Sequence, residues 1–158
     1  MTLDVGMPAP DFDMVAADGR QLRLADFRGK KNVVVYFYPA DFTLVCTRET
    51  CGFRDAYADL ASKDTEVIGI SVDDDTSHQK FAAEYRVPFA LVSDPDRKLV
   101  DQFSAAGGFV RKLMKKAARV TYVIDKQGKI AGVFRGELSA ATHVDGVNAL
   151  IAKLSERS

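Results

Sequence analysis

Two apolar runs dominate the first half of the chain: 33–38 (Val-Val-Val-Tyr-Phe-Tyr) and most of 66–72 (Glu-Val-Ile-Gly-Ile-Ser-Val). Stretches of this length without strict polar alternation predict strands buried on both faces. Pro39 follows the first run and cannot continue a central strand, so the chain must turn there before a helix over 44–60. Asp74-Asp75-Thr76-Ser77 caps a second helix that runs to about Tyr85. A third short strand covers 89–92, and Asp94-Pro95 opens a short helix through Phe103. Upstream, 12–15 and 21–24 read as short strands around the Asp18-Gly19 turn, a small hairpin. Downstream, 104–118 is ambiguous, and 120–124 and 130–134 form a hairpin around Asp125-Lys126-Gln127-Gly128. A last helix over 140–154 carries Val144, Val147, Leu150, Ile151 and Leu154 on one face.

Strands alternating with helices, then a terminal hairpin and helix, imply an α/β protein whose mixed sheet is covered on both faces. That is the order of a thioredoxin-like fold with an N-terminal β-hairpin extension and an insertion. At 158 residues, with no repeat, low-complexity segment or Pro/Gly/Ser-rich linker, a single domain over 1–158 is expected.

Charge narrows the choice of partner. Lys plus Arg and Asp plus Glu each number 22, so no global field favours nucleic acid or an anionic membrane. No window is long and apolar enough to cross a bilayer, and the first residues lack a basic region followed by an apolar stretch. A cytoplasmic location is the default expectation. In that reducing setting a pair of thiols points to catalysis or redox work rather than to a permanent crosslink.

The chain has two cysteines, Cys46 and Cys51, placed directly after the Val33 to Tyr38 strand and its turn. Cys46 falls in the first turn of the predicted helix, where unpaired amides and the peptide dipole favour the anionic thiolate, the nucleophilic form. On an ideal helix, residues five apart have Cα atoms about 8.7 Å apart and diverge by about 140°. A disulfide wants about 4.4–6.8 Å. If both cysteines are helical when reduced, they can join only after the helix start unwinds, which fits a redox cycle better than a static staple. The bland alternative is a pair of buried cysteines acting as small hydrophobes. A zinc site lacks a ligand set, because the two histidines, His78 and His143, are far from the cysteines in sequence. Both histidines read as solvated helix residues.

The segment Pro39-x-x-x-Thr43-x-x-Cys46 resembles the peroxiredoxin active-site signature, and 46–55 is similar to the bacterioferritin comigratory protein (Q-type) subfamily, atypical two-cysteine. Similarity extends through 5–12, 68–73, 91–95, 119–125 and 128–130 in order and spacing, nearly the whole chain. The resemblance implies a thiol-dependent peroxidase acting on hydrogen peroxide and organic hydroperoxides. Cys46 would be the attacking thiolate and Cys51 the resolving thiol, with a thioredoxin or glutaredoxin-type reductant restoring both. Thr43 would exchange hydrogen bonds with the peroxide, Pro39 would wall the pocket, and Arg119 would hold a peroxide oxygen and favour the thiolate. Glu49 would orient an arginine. Read without the family, Thr43 is an N-cap, Pro39 a strand terminator, Arg119 a surface cation and Glu49 a solvated residue. The basic run 111–116 reads as a solvated face. No metal, haem or flavin is called for, and a monomer or weak homodimer is expected.

Leu44-Val45 stands where many relatives carry Pro-Gly, a swap that stiffens the helix start. Cys51 is expected to be the internal resolver, since the chain has no distal cysteine of the typical two-cysteine kind. Two other readings stay open at the level of sequence: a one-cysteine peroxidase resolved by an external thiol, and a non-catalytic redox sensor or holdase.

Overall fold

The computed structural model describes residues 3–103, 119–136 and 140–156. Its main sheet has five strands in the order β5-β4-β3-β6-β7. These are β3 (Asn32–Phe37), β4 (Thr65–Ser71), β5 (Ala90–Ser93), β6 (Val120–Ile124) and β7 (Ile130–Arg135). Strands β3, β4 and β5 are parallel, while β6 and β7 run antiparallel to their neighbours. The N-terminal hairpin, β1 (Asp13–Val15) and β2 (Gln21–Arg23), forms its own two-stranded sheet and touches the main one through a bridge between Ala16 and Val92. The thioredoxin-like order read from the sequence is therefore the fold, hairpin included. Leu24, assigned to the second hairpin strand, instead begins a one-turn helix, α1 (Leu24–Phe27). The ambiguous stretch 104–118 and its basic run lie outside the described residues.

Alternation along β3 divides the core between the two faces of the sheet. Val33, Val35 and Phe37 join Phe12, Met14, Phe103 and Tyr122 in one cluster, roofed by the hairpin segment and by α4 (Lys98–Gln102). Asp94 holds α4 by accepting the Leu99 and Val100 amides at 3.0 and 2.9 Å. Val34, Tyr36 and Tyr38 join Cys46, Phe53, Phe81, Val147 and Ile151 in the other cluster. Among the described residues, three helices cover that face: α2 (Leu44–Ser62), α3 (Asp75–Tyr85) and α5 (Ala140–Glu156).

The site depends on how α2 is seated. Tyr36 meets Tyr38 and Phe53 at ring separations of 5.4 and 4.9 Å, and its hydroxyl lies 2.9 Å from Thr50 Oγ1 on α2. Burial drives the phenol pKa of Tyr36 well above its ordinary value, so it remains a neutral partner. On its other side α2 packs so closely on α5 that a Cβ at Gly52 would lie 2.8 Å from Val144 Cγ2. Only glycine fits there without displacing Val144. Among the described residues no helix is long and apolar enough to cross a membrane.

Candidate active site

Cys46 is the third residue of α2, after Leu44 and Val45, and is 1% exposed. The helical ladder opens with the Thr47 amide, which donates to the Thr43 carbonyl at 2.8 Å. The amides of Leu44, Val45 and Cys46 precede it, as at any helix start. Thr43 has N-cap backbone angles, φ −83° and ψ 153°, but its side chain caps none of those amides. Its hydroxyl donates instead to the Ala40 carbonyl at 2.9 Å. The N-cap reading therefore holds for the backbone alone. With its hydrogen committed to Ala40, Thr43 Oγ1 keeps its lone pairs as acceptors.

Arg119, just before β6, enters the site from the sheet. Its Nη2 donates to Cys46 Sγ at 3.1 Å and its Nη1 to Glu49 Oε1 at 2.9 Å. Glu49 follows Cys46 by one helical turn, so both face the same way and share one guanidinium. Burial works against the charge on Arg119, but the Glu49 carboxylate and the Cys46 sulphur outweigh it and raise its pKa above the ordinary guanidinium value. It keeps its proton. Arg119 is 4% exposed and Glu49 is fully buried, so neither is the surface charge that the residues alone suggested. The strand pairing explains this: Val120 sits opposite Phe37, which brings Arg119 to the end of β3 where the chain leaves for α2.

The loop between Pro39 and Thr43 is held from beneath. Pro39 is buried. Asp41 accepts from Tyr38 Oη at 2.6 Å and from Ser77 Oγ at 2.8 Å, and its amide donates to Asp73 Oδ2 at 2.8 Å. His78 Nδ1 lies 2.7 Å from Asp41 Oδ2. Between these anchors and the helix, Phe42 adopts a left-handed φ of 63°, an unfavourable choice for a bulky residue. Its half-exposed ring packs 5.1 Å from Phe81 and 6.4 Å from Tyr85.

Both histidines correct the sequence reading, since each is fully buried rather than solvated. His78 heads the stripe of α3 that continues through Phe81, Ala82 and Tyr85. His143 heads the stripe of α5 that continues through Val147 and Ile151. Spacings of three, four and seven residues after His78, and of four and eight after His143, are the signal the sequence carries. Their polar partners, Asp41 for one and Thr121 with Glu49 for the other, come from distant segments.

Cys51 is half-buried on the same unbroken helix as Cys46, and both are free thiols. Cys46, Arg119 and Glu49 are thus joined, with Thr43 at the cap of the same helix, and Cys51 is about five residues' rise away, roughly 7.5 Å along the axis. Among the described residues no cluster of three or more His, Cys, Asp or Glu could hold a metal ion.

Residues 5–133 match the AhpC/TSA family. A chloroplastic peroxiredoxin Q of Populus jackii is 39% identical over 149 residues, covering 94% of this chain and 68% of that protein. A putative peroxiredoxin bcp of Coxiella burnetii is 40% identical over 136 residues, 85% of this chain and 89% of the relative. Among solved structures, peroxidoxin BcpB of Mycobacterium tuberculosis superposes with a TM-score of 0.85 at 31% identity, covering 96% of this chain and 98% of its own. Peroxiredoxin Q of Xanthomonas campestris gives 0.84 at 27% identity, over 96% and 99%. A buried cysteine at a helix start, an arginine donating to its sulphur and this agreement along nearly the whole chain lead to one assignment: the chain belongs to the AhpC/TSA family, within its peroxiredoxin Q and bcp group.

Proposed function

We propose that this thiol-dependent peroxidase uses Cys46 as the attacking thiolate and Cys51 as the resolving thiol, on hydrogen peroxide and organic hydroperoxides. The observation that carries the reading is the 3.1 Å hydrogen bond from Arg119 to Cys46 Sγ at the buried start of α2. Cys46 sulphur bonds to the nearer peroxide oxygen as the O–O bond breaks, and the electron pair leaves with the farther oxygen. That oxygen takes a proton to become water or an alcohol, and Cys46 becomes a sulfenic acid. Arg119 and the amides of the helix start stabilise the charge developing on the oxygens, while Thr43 Oγ1 accepts a hydrogen bond from the peroxide. The Cys51 thiol then displaces hydroxide from the sulfenic sulphur, giving a disulfide and water, and an external dithiol of the thioredoxin or glutaredoxin kind returns two electrons.

Resolution requires movement. Two thiols five residues apart on an intact helix are beyond disulfide reach, so 43–51 must unwind while α2 from Gly52 onward stays seated on α5. After one equivalent of peroxide, mass spectrometry of the peptides should show a Cys46–Cys51 bond. A lasting sulfenic acid, or a disulfide between chains, would point to resolution by an external thiol.

The Cys51→Ser variant is expected to keep the first peroxide reaction within about twofold, since Cys51 takes no part in it, but to recycle slowly and overoxidise at Cys46. Amide exchange over 43–51 should be much faster in the oxidised wild type than in the reduced one. Equal protection in the two states, with undiminished recycling by Cys51→Ser, would replace the two-cysteine cycle by the one-cysteine form.

A further inference from the structure

Beyond Glu49 the buried polar row continues to His143 on α5, a residue with no part in the cycle above. Its Nε2 lies 3.0 Å from the Gly136 carbonyl. Its Nδ1 lies 2.7 Å from Thr121 Oγ1 and 3.4 Å from Glu49 Oε2. A carbonyl oxygen only accepts, so Nε2 carries a hydrogen. An ionised carboxylate also only accepts, and a bare Nδ1 lone pair would set two electron-rich atoms against each other in a buried site. A hydrogen on Nδ1, donated to Thr121 Oγ1, removes that conflict and sets an imidazolium 3.4 Å from Glu49 Oε2 as an ion pair without a hydrogen bond. Glu49 turns its other oxygen to Arg119, and Arg119 donates to Cys46. Along His143, Glu49, Arg119 and a Cys46 thiolate the signs then alternate, and these four charges sum to zero.

We propose that His143 is a positioning residue of the peroxide reaction: as an imidazolium it attracts Glu49 Oε2 across 3.4 Å and so fixes the Arg119 guanidinium against Cys46 Sγ. This rests on Cys46 being the thiolate that meets peroxide. His143 touches no reacting atom, and its influence passes through Glu49 and Arg119. Thr121 Oγ1 accepts the Nδ1 hydrogen and sets the plane of the ring.

Two measurements test the role. Nitrogen-15 spectra of the reduced wild-type ring at neutral pH should show hydrogen on both His143 nitrogens. The Nδ1 resonance should also move in Cys46→Ser, because coupling between two sites is reciprocal. A bare Nδ1, or one indifferent to Cys46→Ser, would overturn the proposal without any change at His143. The second is a double-mutant cycle read as the stopped-flow rate of Cys46 oxidation. His143→Gln is expected to slow that rate about tenfold alone and by less than about twofold in a Glu49→Gln background. Additive losses would reduce His143 to packing. Peroxide turnover surviving in Cys46→Ser would sink the underlying reading as well, whereas an inactive Cys46→Ser beside a silent His143 would sink the histidine's role alone.

Discussion

Peroxide turnover should vanish in Cys46→Ser, the largest effect of any single substitution. A serine hydroxyl stays protonated at neutral pH, and no base in the site replaces the charge that a thiolate carries by itself. The pocket is organised around that sulphur: Arg119 donates to it, and the start of α2 points its first amides the same way. The substitution is nearly isosteric, so the fold should persist and an unfolding curve should superpose closely on the wild type. The check is consumption of hydrogen peroxide with a recycling dithiol over many equivalents. A variant that still turned over at a rate near wild type would take Cys46 out of the mechanism.

Arg119→Met should slow the first oxidation of Cys46 by on the order of 10²-fold, since one lost donor to developing charge costs about 3–4 kcal/mol. Methionine matches the length of the arginine stem but brings no charge. The loss should also reach stability, because removing one member of a buried ion pair typically costs about 3–5 kcal/mol. Stopped-flow oxidation measured well below the unfolding transition separates the two effects. A rate within about twofold of wild type would make Arg119 a structural partner of Glu49 and nothing more.

Much of the fold was legible because the strands are local statements. The run at 33–38 announces a central strand, and β3 spans Asn32–Phe37 with every residue buried. Polar side chains were harder to place, because their partners are set by sheet pairing and helix packing. Arg119 followed from the family resemblance, yet nothing in its neighbourhood separates it from a surface cation until β6 lies against β3. The histidines were misplaced for a related reason. A polar residue on a helix was read as solvated by type, although its spacing to Phe81 or to Val147 already put it on the inner face. Thr43 shows the same limit at atomic scale: N-cap position is a matter of sequence, but the direction of its hydroxyl depends on the Ala40 carbonyl brought round by the turn.

Cys46 and Glu49 hang from adjacent turns of α2 and grip one arginine, so whatever draws Cys46 away toward Cys51 loosens that grip. The reduced enzyme therefore holds an attraction that its disulfide form must forgo, and this is a statement about electrochemical potential. For a two-electron couple about 1.4 kcal/mol corresponds to about 30 mV, so losing a contact worth about 3–5 kcal/mol shifts the couple by roughly 60–110 mV toward the oxidising side. A disulfide poised in this way gives up its place to a modest dithiol donor. Equilibration against dithiothreitol should place the Arg119→Met couple lower than the wild-type one, and an unchanged potential would mean that the arginine stabilises the reduced and disulfide forms equally.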